Sequence, residues 1–224
     1  MTNRYVYLLC ISRTLLRFLS FILFSFSFSS LAYSLPQVSD PALQKCIDQL
    51  AQKHQWQAVE DVTSIKCHKK GVKTVAGLQQ FSALQSLSLF SNSLSEFDSS
   101  YYPKLVSLNL ARNRIENLSV SNLPALEKLY LFDNKIKHLA LENLPKLSIL
   151  KANSNTMQTL SYESLTALQK IYIFDNTLET IDIHNLPAME YMDCRENPMP
   201  DELYDEMDKI KHATILHDGN AEDW

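Results

Sequence analysis

Glycine is nearly missing from this chain, at three residues in 224. So little glycine excludes a β-helix built on glycine turns and leaves no glycine-rich loop to cradle phosphates. Cysteine numbers only four, and no Cys or His groups stand at zinc-site spacing. Basic residues (21) do not outnumber acidic ones (25), which argues against nucleic acid or an anionic membrane surface as partner. Past residue 31 no apolar run approaches the roughly 20 residues that span a bilayer. No nucleophile motif is present either.

One apolar run does exist, at the N-terminus. Arg4, Arg13 and Arg17 precede FLSFILFSFSFSSL (18–31), and Ala32-Tyr33-Ser34 follow. A positive region, an apolar stretch and small residues before a cut describe a secretory signal peptide over 1–34. The alternative is a membrane anchor, but the stretch is short and interrupted by Ser. A lipoprotein reading through Cys10 lacks a preceding apolar region. Removing the three Arg leaves 18 basic and 25 acidic residues, a formal charge of −7. The expected location is therefore exported, periplasmic or secreted, with no membrane span after cleavage.

Two hexapeptides, LYLFDN (129–134) and IYIFDN (171–176), stand 42 residues apart, twice 21. In that register the chain reads LQSLSLFSN from Leu84, LVSLNLARN from Leu105, LEKLYLFDN from Leu126, LSILKANSN from Leu147, LQKIYIFDN from Leu168 and MEYMDCREN from Met189. A weaker copy, VTSIKCHKK from Val62, sits one residue further back and has Lys70 where the others have Asn. Apolar residues fall at offsets 0, 3 and 5, Asn at offset 8 and an aliphatic at offset 10. Offsets 3 and 5 alternate inward on a short strand, leaving 2, 4, 6 and 7 outward. One such strand cannot bury its apolar side alone, whereas stacked copies form a continuous core. The Asn column marks the turn, where a side-chain amide satisfies backbone groups that would otherwise be buried unpaired.

Further along each unit, LSV, LAL, LSY and IDI (from residues 118, 139, 160 and 181) have a period of two and predict a second short strand. Asn-Leu-Pro follows at 122–124, 143–145 and 185–187, and Pro forbids a regular helix interior there. The open ends of a repeat stack need covers. Asp40-Pro41 opens a helix that carries Leu43, Cys46, Ile47, Leu50 and Ala51, with Trp56 packing beneath. A second helix is expected over PMPDELYDEMDKIKH, with Leu203, Met207 and Ile210 on one side, and ATIL (213–216) is a possible last strand. Cys46 on the first helix and Cys67 on the first strand are expected to form a disulfide; the alternative is two small buried thiols. Cys194, at an inward offset, is expected to be a buried free thiol.

These residues resemble the bacterial leucine-rich repeat family, similar in style to the internalins, over about residues 40–217. The resemblance implies a right-handed curved solenoid whose concave parallel sheet recognises other macromolecules, usually proteins, and it carries over no catalytic residue. The fold expected is α/β leaning to β, with about seven concave strands, a short β-rich convex side and helical caps. Its parts are a signal peptide (1–34), an N-terminal cap (35–61), repeats (62–197) and a C-terminal cap and tail (198–224).

The outward offsets then give the candidate ligand-binding residues: Phe90, Tyr130, Phe132, Asp133, Lys151, Tyr172, Phe174, Asp175 and Tyr191. The scaffold does not require aromatics there, and exposed aromatic clusters mark interfaces. The alternative is that the Phe side chains tuck over the core edge and that the hexapeptides are duplication remnants. A protein or peptide ligand is expected, with a glycan or a purely structural envelope role as the other readings. His68 beside Lys66 and Lys69 reads as a solvated cluster. Catalysis, a metal and a cofactor are not expected.

Overall fold

The computed structural model describes residues 35–163 and 165–219. The signal peptide expected over 1–34 lies outside them. In chain order the elements are α1 (Pro41–His54), β1 (Ser64–Lys66), β2 (Ser86–Ser88), β3 (Ser107–Asn109), β4 (Asn117–Ser121), β5 (Lys128–Tyr130) and β6 (His138–Glu142). There follow β7 (Ile149–Lys151), β8 (Thr159–Glu163), β9 (Lys170–Tyr172), β10 (Tyr191–Asp193), α2 (Asp201–Met207) and β11 (Thr214–Leu216). Eight strands form one sheet in the order β1-β2-β3-β5-β7-β9-β10-β11, and β4-β6-β8 form a second. Every pairing is parallel.

The large sheet is assembled from offsets 2–4 of each repeat. Ile65, Leu87, Leu108, Leu129, Leu150, Ile171 and Met192 stand side by side in register and are buried. Offset 5 (Cys67, Leu89, Leu110, Leu131, Ala152, Ile173, Cys194) is fully buried beside them. The expected seven strands become eight because the chain returns after α2 and adds β11, pairing Ile215 with Met192. One inward column escaped the sequence reading. A tight turn before each strand, such as Leu126 N–H to the Leu123 carbonyl at 3.1 Å, buries Phe81, Tyr102, Leu123, Leu144, Leu165 and Leu186.

The Asn column closes the turns as expected, and its bonds cross between repeats. Asn155 Nδ2 donates to the Leu131 carbonyl one repeat back (3.2 Å) and to Ala152 in its own repeat (3.0 Å), while Oδ1 accepts from Ile136 N–H (3.0 Å). Asn92, Asn113, Asn134, Asn176 and Asn197 repeat this pattern. At Lys70 there is no preceding repeat strand for such an amide to reach, since α1 and a short 3-10 turn (Val59–Asp61) come before β1. The residue preceding each Asn (and preceding Lys70) is left-handed: Lys69, Ser91, Arg112, Asp133, Ser154, Asp175 and Glu196 all have φ between 54° and 58°.

The small sheet follows the predicted period of two, with Leu118, Leu139 and Leu160 in register and then Val120, Leu141 and Tyr162. The fourth expected strand, IDI at 181–183, does not form. Ile181 and Ile183 are still buried, but Asp182 accepts from His184 N–H at 2.9 Å and from the Asn185 side chain. A short polar side chain that bonds its own turn competes with the sheet ladder.

At one end, Asp40 caps α1 by accepting from Ala42 and Leu43 N–H (2.9 and 3.1 Å), and its other oxygen accepts from Lys73 N–H at 2.8 Å. Burial pushes this carboxyl upward, but the backbone donors outweigh it and leave the pKa below the ordinary value. Cys46 and Cys67 form the expected disulfide, with Cα atoms 6.0 Å apart. At the other end the expected helix shrinks to Asp201–Met207, so Lys209 and Lys211 fall beyond it. Its buried residues are Met207 and, unforeseen, Tyr204, while Leu203 and Ile210 are only half-buried. The Tyr204 hydroxyl donates to the Asn197 carbonyl (3.1 Å) and its ring stacks on buried His217 at 4.7 Å. Cys194 is a buried free thiol, pushed up to about 12 by burial, then by Asp193 and Asp218.

Removing the Asn155 amide strands the Ile136 N–H in the interior, at about 1–3 kcal/mol, and takes one of two donors from the Leu131 and Ala152 carbonyls, which keep those of Asn134 and Asn176. Asn155→Ala is expected to lower unfolding free energy by about 2 kcal/mol in urea, against less than about 0.5 kcal/mol for Asn153→Ala. The disulfide closes a separation of 21 residues; replacing both Cys46 and Cys67 by Ala is expected to lower stability by about 3 kcal/mol in the same assay.

Candidate functional site

The outward residues form straight rows across the large sheet because neighbouring strands pair without stagger. One row runs Lys66, Ser88, Asn109, Tyr130, Lys151, Tyr172, Asp193. A parallel row includes Lys128, Ile149, Lys170 and Tyr191. Beyond the strands a third row follows at offset 6, from His68 through Phe90, Ala111, Phe132, Asn153 and Phe174 to Arg195. All six candidate aromatics are half-buried, as are Lys151 and Asp133, while Asp175 is exposed.

The candidates separate into two groups. Phe90 and Phe132 stand two strands apart, about 10 Å by strand spacing, yet their ring centroids are 6.2 Å apart. They lean together over Ala111, which is fully buried. The Arg112 guanidinium lies 5.4 Å from the Phe90 ring and its Nε donates to Asp133 at 2.8 Å. His68 approaches the other edge of Phe90 at 5.7 Å and holds the Ser88 hydroxyl at 2.7 Å. Desolvation first, then the Lys66 and Lys69 charges, lower the His68 pKa below its usual 6.5.

In the second group, Lys151 Nζ sits 4.6 Å from the Tyr172 ring centroid, and Tyr172 meets Tyr191 at 5.3 Å. Burial first, then the Asp193 charge, raise the Tyr191 hydroxyl, so it stays a donor at neutral pH. Arg195 clamps Asp193 through two bonds, Nε to Oδ1 at 2.9 Å and Nη2 to Oδ2 at 2.8 Å. Asp193 is 5% exposed and Arg195 45%, so the pair is a fixed polar corner, and Arg195 is held more firmly charged.

Tyr130 stands in the same row as Lys151 and Tyr172, whereas Phe174 and Asp175 lie beyond their strand at the turn. Asp133 and Asp175 both occupy the left-handed turn position, a conformation Asp tolerates better than most side chains. That gives the repeated Asp a backbone reason as well as a surface one. Sequence reasoning missed Arg112, His68, Asp193 and Arg195 as members. The only available signal was adjacency: each lies next to a candidate in its row or turn. A cleft of about 420 Å³ opens beside Phe97, Tyr101 and Tyr102. Among the described residues no group of three His, Cys, Asp or Glu is placed to hold a metal ion, and no helix is long and apolar enough to cross a membrane.

No family model matches the sequence, and no curated protein matches it. Among solved structures the chain is similar to internalin C2 from Listeria monocytogenes, at 17% identity and a TM-score of 0.53, over 82% of this chain and 98% of that one. The functional domain of InlJ from Listeria monocytogenes, which includes a cysteine ladder, is matched at 20% identity and a TM-score of 0.35, over 64% of this chain and 46% of that one. A leucine-rich repeat protein of Leptospira interrogans is matched at 20% and 0.45, over 68% and 45%. The chain thus spans less than half the length of the last two. What is shared with internalin C2 is the fold, a leucine-rich repeat solenoid.

His68 gives this face a pH signature. With its pKa depressed on folding, the unfolded chain takes up the proton first as pH falls past 6.5, so stability declines below that point and is unaffected above it. In an NMR titration His68 is expected to have its midpoint below 6.5 and to move upward in a Lys66→Gln, Lys69→Gln variant. A midpoint at or above 6.5 contradicts the assignment.

Proposed function

We propose that this chain is an exported, non-catalytic binding module that recognises a protein or peptide partner through the outer face of its eight-stranded sheet. The observation that carries the reading is the placement of Phe90, Tyr130, Phe132, Tyr172, Phe174 and Tyr191. They are half-buried at offsets the repeat does not use for its core, and other copies hold Ser, Asn, Ala or Lys there. Aromatic surface left partly open in a plane gains stability when a partner covers it. Repeat scaffolds offer such extended surfaces for binding. Eight strands at about 4.8 Å span roughly 34 Å, room for a standard interface of about 20–30 residues a side.

Export is part of the same proposal. Residues 1–34 act as a signal peptide, residues 35–61 and 198–224 cap the repeats at 62–197, and the Cys46–Cys67 disulfide suits an oxidising compartment. Intact-mass measurement of the mature protein is expected to place its first residue at or near Leu35.

The binding test compares the mature chain with a Tyr130, Phe132, Tyr172, Phe174 quadruple Ala variant of matched far-UV spectrum, as baits in envelope and culture-fluid extracts, with a glycan array alongside. A protein held by the first and lost by the second is the expected result. Equal retention by both moves the site off this face. A glycan retained instead turns the reading to carbohydrate binding, and no retention leaves a structural role.

A further inference from the structure

The sign of the charge on this face is opposite to that of the chain. Residues 35–224 carry 18 basic and 25 acidic side chains. Yet the outward rows at offsets 2, 4 and 6 hold Lys66, Lys128, Lys151, Lys170 and Arg195 against a single acid, Asp193. Asp193 is buried and closed off by Arg195 on both oxygens. Lys66, Lys128 and Lys170 are exposed, and Lys151 is steadied over the Tyr172 ring. Other acids stand at the rims, Glu127 and Glu190 before the strands and Asp133, Asp175 and Glu196 after them, and Asp218 follows β11 with its carboxylate on Glu196 N–H; Asp133 is already paired to Arg112.

Register fixes the pattern of the stripe. On β5, β7 and β9 the two rows read Lys128, Ile149, Lys170 and Tyr130, Lys151, Tyr172, so ammonium groups and rings alternate like a checkerboard. Lys128 and Lys170 stand two strands apart, about 10 Å, and Lys151 lies between them. Phe90, Phe132 and Phe174 line the turn side of the stripe.

We propose that the partner of this face is an acidic protein segment, lying extended across the strands with carboxylates on the lysines and apolar side chains against the Tyr and Phe rings. This rests on the reading of the sheet as a docking face and names the chemistry of its ligand. A basic strip between acidic rims admits a narrow anion and repels a broad acidic surface. The row of Phe favours apolar side chains in the ligand, which an acidic peptide carries, whereas a uronate chain offers only the C–H faces of its rings.

The probes are labelled peptides of about ten residues, the extended length that spans the face. One alternates Glu with Leu and Phe, and one has Lys in place of Glu; polygalacturonate serves as the glycan polyanion. Anisotropy is read with the mature chain, with Lys128→Glu, Lys151→Glu, Lys170→Glu, with the matching Gln variant, and with Lys104→Glu, Lys146→Glu, Lys209→Glu as a control of equal charge.

The Glu peptide is expected to bind and the Lys peptide not. The Glu and Gln variants of the face should weaken binding by at least about tenfold and about threefold, the control should leave it unchanged, and added salt should reduce it. Absence of Glu-peptide binding, equal loss in the control, or preference for polygalacturonate overturns the proposal. A partner captured through the aromatics but indifferent to the triple reversal keeps the docking face and removes the acidic ligand. Failure of both sets of variants to change capture removes both.

Discussion

One side-chain amide per repeat holds this structure together, and it always reaches into the repeat before it. The Asn ladder joins the carbonyl that ends one inward strand to the carbonyl that ends the next, and supplies the acceptor for the following N–H. Without the ladder, each turn packed against its neighbours would bury one carbonyl and one N–H without partners. The leucines make each repeat adhesive, but they are nondirectional. The amides fix the stagger, and a sheet without stagger is what lines the outward residues into rows.

That separation of duties leaves the face free to carry chemistry. Inward columns are occupied by Leu, Ile, Val, Met, Cys and Ala, whereas outward rows mix Ser, Asn, Lys, Tyr and Phe on the same backbone. What distinguishes the face is therefore the pairing between rows. Phe90 and Phe132 meet only because the residue between them is Ala111, and Tyr172 reaches both Lys151 and Tyr191 because both are one strand away.

The period of 21, the inward offsets, the capping Asp40 and the Cys46–Cys67 link were legible because each is a local pattern with a single physical solution. The Asn column was legible as a turn, though not as a bond between repeats, since that requires knowing which carbonyl lies one strand away. Three elements differ from the sequence expectation, each for its own reason. IDI has strand periodicity, but Asp182 spends its carboxylate on the next turn. The spacing of Leu203, Met207 and Ile210 predicts the second helix over 198–212, whereas it stops at Met207, followed by β11 and buried His217. The tight-turn column has no uniform sequence mark: Leu123, Leu144 and Leu186 lie inside Asn-Leu-Pro, whereas Phe81, Tyr102 and Leu165 do not. Of the candidate site, positions were readable and partners were not, because Arg112, Asp193 and Arg195 become visible only once strands stand side by side.

The two ends of the stack are secured by different means, and the difference gives it a direction. Covalent sulfur ties α1 to β1, together with Asp40 bridging helix and first repeat. At the far end no covalent link is added: the closure combines the β10–β11 pairing, buried Met207 and Ile215, the Tyr204 hydroxyl, the stacked His217 ring and the Asp218 carboxylate on Glu196 N–H. In a linear array each unit is stabilised mainly by its neighbours, so opening proceeds from the unit whose outer closure is weakest. The stack is a zipper pinned at α1, and fraying is expected to run from β11 inward toward Tyr191 and Tyr172, two of the six aromatics on the face.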